Sequence, residues 1–143
     1  MRFWDTSAVV SLLVEEPRSP LTRVLVAQDL GLTVWWATEV ECVSALSRLV
    51  RVGDISQEQA ADGIGNLEEL TGNWIEVDPS ARVRRTARRL LLVHELVAAD
   101  ALQLSAAIAA AEDEPTSLEF VSFDQRLRRA ASREGFAVVP AQT

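Results

Sequence analysis

Short runs of β-branched and aromatic residues alternate with helical stretches along the whole chain, and this alternation limits the fold more than any other feature. Phe3-Trp4 is short and apolar and ends at Asp5-Thr6-Ser7. A helical pattern follows through Val14 and stops near Pro17. Ser19 to Asp29 forms a second helix, with Leu21, Val24, Leu25 and Leu30 apolar. Leu32-Thr33-Val34-Trp35-Trp36 reads as a strand. From Thr38 to Val52 the apolar spacing is helical, through Cys42, Val43, Leu46, Leu49 and Val50, until Gly53. Ser56, followed by Gln57, Glu58 and Gln59, opens a helix that runs to Leu70. Trp74 to Val77 is a strand, and Ser80 to Leu92 is helical and arginine-rich. Val97 to Ala111 is helical and apolar nearly all round, so it is expected to be buried. Glu119 to Ser122 is a strand, Gln125 to Glu134 a helix closed by Gly135, and Ala137 to Val139 a last strand.

Strands that alternate with helices imply an α/β fold, with a central, mostly parallel sheet and helices on both faces. At 143 residues the chain is expected to be one domain, 1–143. Its longest apolar run, Ala106 to Ala111, is far short of the roughly 20 residues that cross a bilayer. The start, Met1-Arg2-Phe3-Trp4-Asp5, has no apolar signal segment, and a lone Cys42 cannot form an internal disulfide. The expectation is therefore cytoplasmic, without a membrane.

Acids outnumber bases 21 to 14, for a formal charge of −7, and every base is arginine. Without lysine, Schiff-base catalysis and the phosphate-binding lysine of P-loop enzymes are excluded. The overall field does not attract nucleic acid, so a local arginine patch or a metal ion would have to.

In parallel α/β sheets ligands sit beyond the carboxyl ends of the strands. Four acids stand there by this reading: Asp5 ends the first strand and Asp124 follows the fourth, while Glu41 and Asp100 lie in the first turns of helices. Singly, Asp5 and Asp124 read equally well as helix N-caps, Asp100 as a charge at a helix dipole, and Glu41 as a surface acid. Jointly they would crowd one sheet edge, where unpaired carboxylates repel and tend to protonate. A hard divalent cation, Mg²⁺ or Mn²⁺, removes that repulsion and suits phosphodiester hydrolysis.

Four stretches carry a family resemblance: Trp4-Asp5-Thr6-Ser7-Ala8, Val40-Glu41-Cys42-Val43-Ser44-Ala45-Leu46, Ala98-Ala99-Asp100-Ala101-Leu102-Gln103-Leu104, and Phe120-Val121-Ser122-Phe123-Asp124-Gln125-Arg126-Leu127. In this order, with the closing Ala130-Ala131, Gly135-Phe136 and Val138-Val139, the chain resembles the PIN-domain ribonucleases, specifically the VapC-type toxins of bacterial toxin–antitoxin pairs. The resemblance implies a three-layer α/β/α PIN-like domain that cleaves RNA with a metal-activated water. It implies that Asp5, Glu41, Asp100 and Asp124 hold Mg²⁺ or Mn²⁺, and that a cognate VapB-type antitoxin silences the enzyme. Glu39 competes with Glu41 on the helix, and the resemblance favours Glu41. Ser7 and Ser122 fall where family members often carry a hydroxyl, and are read as orienting the carboxylates, with turn or cap roles as the alternative.

The remaining polar and aromatic residues receive plainer readings. His94 has no thiol or hydroxyl motif to pair with, and Cys42 is inert packing. Trp4 and Trp74 pack; Trp35 and Trp36 pack or contact a partner, with base stacking the rival use. Arg82, Arg84, Arg85, Arg88 and Arg89 make a solvated face, with phosphate binding as the rival. Arg126, Arg128 and Arg129 follow Asp124 and are the stronger candidates for RNA phosphate contact.

Three rivals come from other classes. A receiver domain needs a lysine and a paired acid that this chain lacks, and a haloacid-dehalogenase-like phosphatase needs Asp-x-Asp where Asp5 is followed by Thr6 and Ser7. A non-catalytic PIN-like binding module regulated by a partner stays open. A homodimer is expected, both from the resemblance and from the apolar weight of Val9, Val10, Leu12, Leu13 and Val14.

Overall fold

The computed structural model describes residues 1–29 and 31–141, so the expected apolar position Leu30 lies outside the described residues. In chain order the elements are β1 (Arg2–Trp4), α1 (Thr6–Leu13), α2 (Ser19–Gln28), β2 (Leu32–Trp35), α3 (Thr38–Arg51), α4 (Gln57–Thr71) and β3 (Ile75–Val77). They continue with α5 (Ala81–Val93), α6 (Ala98–Ala110), β4 (Glu119–Val121), α7 (Gln125–Arg133) and β5 (Ala137–Val139). Local chemistry explains the boundaries. Ser56 and Gln59 close a capping box at the start of α4, and Ser80 caps α5 by accepting from the Val83 N–H. Gly53 (φ +82°) and Gly135 (φ +105°) take the left-handed backbone that ends α3 and α7, which side chains with a Cβ resist.

All four strand pairings are parallel, in the order β3-β2-β1-β4-β5. Successive side chains on a strand point to opposite faces, and this alternation divides the core in two. Phe3, Trp35 and Phe120 face α5, α6 and α7, meeting Leu90, Leu104 and Leu127. Trp4, Val34 and Val121 face α1 to α4, meeting Val9, Leu25, Leu46 and Leu67. The result is three layers, α/β/α. Burying one such aliphatic side chain contributes about 2 kcal/mol, so both faces are needed to hold strands of three and four residues. Helix α6 lies deep in the first core because its contacting residues Ala101, Ala106 and Ala107 are small and fully buried.

Chain order reverses at the boundary between β1 and β4: β2 and β3 lie to one side, β4 and β5 to the other. In parallel sheets a crevice opens at that switch point, beyond the carboxyl ends of the strands.

One expectation needs correction. Val9, Val10 and Leu13 are buried inside this chain, and Leu12 and Val14 pack against the same core. The apolar weight of α1 is thus spent within the fold and leaves no patch there to argue for a dimer. Trp35 is 5% exposed and belongs to the core, whereas Trp36, just past β2, is 52% exposed. Only Trp36 is therefore available to a partner.

Candidate active site at the switch point

Asp5 is the fixed point of the crevice. It leaves β1 in extended conformation and caps α1, accepting at Oδ1 from the Ala8 N–H (3.0 Å). Its Oδ1 also accepts from the Ser7 hydroxyl and its Oδ2 from the Ser122 hydroxyl, both at 2.7 Å. Ser122 comes from the end of β4, so this last bond ties the two strands together across the switch point. Ser7 also accepts from the Phe123 N–H, and Ser122 from the Asp124 N–H. The two serines thus orient Asp5 and brace the turn that carries Asp124.

Asp124 caps α7, with Oδ1 accepting from the Leu127 N–H at 2.9 Å. The capping geometry of Asp5 and Asp124 is real, and it does not compete with a site role. A cap uses part of a carboxylate's acceptor capacity and fixes its direction. Asp100 stands half-buried in the first turn of α6, and Glu41 in the first turns of α3.

Glu41, not exposed Glu39, reaches this part of the structure. Its Oε1 accepts from the Thr6 hydroxyl (2.9 Å) and from the amide of Gln103 (3.0 Å). Gln103 was not singled out from sequence. Only 1% exposed, it also donates to the hydroxyls of Thr6 (2.9 Å) and Thr38 (3.0 Å). Among the described residues its Oε1 has no hydrogen-bond partner. A buried amide with an unpaired oxygen is costly, so Gln103 is spending stability on the position of Glu41. A detectable signal existed: Gln103 lies between two leucines in an alanine-rich helix, three residues beyond Asp100 and hence on a neighbouring face.

The electrostatics are those of crowded like charges. Burial is the main cause that lifts Asp5 to about 6; the bonds from Ser122, Ala8 and Ser7 pull it down, and Asp124 adds repulsion. Asp100 is also lifted to about 6, by burial first, then by repulsion from Asp124 and Glu41, with Arg126 opposing. The fully buried Cys42 thiol is pushed up to about 12 by burial and by Glu41, Asp5 and Glu39, consistent with inert packing.

Of the other residues, Arg126 and Arg129 are exposed after Asp124, and Arg126 sits 3.6 Å from Glu95. Arg128 must be corrected. It is 8% exposed, and its guanidinium donates to the carbonyls of Ser122 (2.6 Å) and Pro140 (2.7 Å). It braces the ends of β4 and β5 and has no fork to offer a phosphate. On α5, Arg82 pairs with Asp113 and Arg89 with Glu134, so that face is partly neutralised. His94 Nε2 lies 2.7 Å from the same Glu134, and its side chain is buried in that contact.

The donor set is chemically uniform: carboxylate oxygens, with no thiolate or imidazole among them. Such oxygens suit Mg²⁺ or Mn²⁺, and their repulsion is what a divalent charge would cancel. Among the described residues no group of three or more His, Cys, Asp or Glu side chains is placed so that it could hold a metal ion. An ion that keeps several of its own waters does not require such a group.

Comparison with known proteins places the chain in context. The model of the PIN domain matches residues 2–133. Two curated relatives from Mycobacterium tuberculosis strains, Ribonuclease VapC45 and Ribonuclease VapC49, are each 31% identical over 141 residues, spanning 98% of this chain and 95% of theirs. Among solved structures, FitAcB from Neisseria gonorrhoeae superposes with a TM-score of 0.64 at 17% identity, over 96% of both chains. VapC20 of M. tuberculosis, a toxin that cleaves the sarcin–ricin loop, superposes at 0.65 and 18% identity, over 95% of this chain and 96% of its own. At those identities the structural match speaks for the fold.

Proposed function

The chain belongs to the PIN-domain family and its VapC ribonucleases, toxins of toxin–antitoxin pairs, and from that premise we propose that the switch-point acids form a Mg²⁺- or Mn²⁺-dependent endoribonuclease centre. The observation that carries this reading is the state of Asp5 and Asp100. Both are lifted to about 6, first by burial, against the downward pull of three donors on Asp5, and with added repulsion from Asp124 at both and from Glu41 at Asp100. A fold tolerates such repulsion where a cation is meant to relieve it.

Asp5, Glu41, Asp100 and Asp124 would hold the ion. When bound, it supplies Lewis acidity toward a phosphodiester and an acidified water. The chain's own contributions are positional. Ser7 and Ser122 keep Asp5 aimed and ionisable, Thr6 and Gln103 hold one oxygen of Glu41, and the α7 cap aims Asp124. Exposed Arg126, whose charge acts on Asp100, and exposed Arg129 are the candidates for RNA phosphate contact. A VapB-type antitoxin is the expected partner, and the apolar group Trp36, Val40 and Val43, exposed at the start of α3, is an appropriate landing surface for it. We retain the homodimer on family grounds alone, and a cytoplasmic setting with it. Among the described residues no helix is long and apolar enough to cross a membrane.

RNA cleavage by the purified chain tests the proposal. Activity should vanish in EDTA and return with Mg²⁺ or Mn²⁺. Cleavage that persists in EDTA contradicts the metal reading, and no cleavage under any condition leaves a non-catalytic PIN-like module regulated by a partner.

A further inference from the structure

A second concavity lies on the same edge of the sheet. Arg18, Leu21, Phe123, Gln125, Arg128 and Pro140 line a hollow of about 410 Å³. Phe123 and Gln125 are the chain neighbours of Asp124, and Pro140 follows β5, so the hollow adjoins the acids beyond the carboxyl ends of the strands. We propose that this hollow is a phosphate subsite, in which Arg18 holds the RNA backbone beside the acid cleft. The proposal rests on the ribonuclease reading and names the part of the substrate taken.

Two guanidiniums converge on the hollow with no carboxylate bridging them. Neither Arg18 nor Arg128 makes an ion pair among the described residues, although the charges of Glu16 and Asp5 act on them at longer range. Arg128 is held below its ordinary pKa by burial and by repulsion from Arg18, while Asp5 opposes the shift. Two positive charges, one on exposed Arg18 and one on buried Arg128, face one concavity and attract an anion, and phosphate oxygens match the planar fork that Arg18 keeps. The division of labour follows from the hydrogen bonds. Arg128 has committed Nη1 and Nη2 to carbonyls, so it adds charge and frames the wall. Arg18 is placed by stacking on Phe123, 4.9 Å from the ring centroid, which leaves its N–H groups for a ligand. The same stack covers the ring face, so a nucleobase cannot stack there and the backbone is the part of RNA that fits. In a chain of net charge −7 a local device of this kind is needed to bring a polyanion to an acid cluster.

Steady-state cleavage of a single-stranded RNA by the full chain, measured across salt concentrations, tests the subsite. Arg18→Ala should raise KM roughly tenfold with kcat within about twofold, since a lost charge-assisted phosphate contact affects binding. The dependence of log KM on log salt should flatten by about 0.7, one contact's worth on a single strand. Arg18→Lys should keep most of that slope. Arg23→Ala should change nothing, because Arg23 lies on α2, which Arg18 precedes, but is paired with Glu15 at 2.8 Å. A role through packing on Phe123 would instead lower kcat or the melting temperature and leave the salt slope intact, and that result overturns the proposal. So does an Arg18→Ala variant that loses affinity for an antitoxin peptide while KM and slope for RNA are unchanged. RNA binding in EDTA, read by fluorescence anisotropy, separates the two readings. A wild type that binds RNA Arg18-dependently but never cuts it removes the ribonuclease reading and upholds the subsite; one that cuts RNA with KM indifferent to Arg18 removes the subsite alone.

Discussion

The two ends of the sheet handle charge in opposite ways. At the amino-terminal edge, Arg2 bonds Glu119 at 3.0 Å and the Leu25 carbonyl at 2.9 Å, and the Met1 ammonium meets Asp29 at 2.8 Å. Asp29 is accordingly held below its usual pKa, first by that ammonium. At the carboxyl-terminal edge, Asp5 and Asp100 are pushed up by burial and by other acids. One sheet and one acidic composition thus yield a neutralised end and a strained end. The first is ordinary surface electrostatics, in which each charge finds an opposite one. The second keeps like charges together with hydroxyls and a buried amide aimed at them, an arrangement that costs stability and that the proposed cation would relieve.

Each prediction breaks this contrast at a different point. The largest effect is expected from Gln103→Leu, which removes the amide from Glu41 without changing the side chain's length greatly. Metal affinity, read by Mn²⁺ calorimetry, and kcat should each fall by about 10-fold or more. Stability should move by less than about 1 kcal/mol, because the variant also removes an orphaned buried oxygen. Unchanged metal affinity and kcat would make Gln103 mere packing.

Next in size is the pH dependence without metal. Carboxylates raised from 3.8 to about 6 hold more protons in the folded than in the unfolded state between those values. Stability should therefore fall as pH rises through that window and level off above it. Fully buried Asp5 accounts for a loss on the order of 3 kcal/mol, and half-buried Asp100 adds a smaller share once discounted for solvent. With saturating Mg²⁺ the sign should reverse, since protons then compete with the ion. Denaturant titrations in EDTA and in Mg²⁺, from about pH 4.5 to 7, check both. The smallest effect belongs to the neutralised end. Glu119→Gln should cost less than about 1 kcal/mol, and less still in high salt, because Glu119 is largely solvent-facing.

Much of this was legible in sequence because it depends on local periodicity. Strand–helix alternation sets a parallel sheet, a parallel sheet sets where strands end, and Asp5 and Asp124 are at such ends. The misreadings share a cause: periodicity reports that a residue is buried, but not against what. Val9, Val10 and Leu13 look like interface and are core. Arg128 lies one helical turn beyond Asp124, as a phosphate ligand should, yet the carbonyls of Ser122 and Pro140 claim it. Those partners lie 6 and 12 residues away along the chain and meet it only once β4 and β5 pair. Gln103 was hidden for the same reason, as its three acceptors come from α1 and α3.

The central claim is that the acids at the carboxyl edge repel one another in wait for a divalent ion, and Asp100→Asn tests it most directly. Melting is followed for wild type and variant in EDTA and in excess Mg²⁺. Removing one of the mutually repelling charges should stabilise the metal-free protein by about 1 kcal/mol, so the variant should melt a few degrees higher in EDTA. Losing a ligand should shrink its Mg²⁺-induced rise. A variant that melts no higher than wild type in EDTA and gains as much from Mg²⁺ would contradict the account.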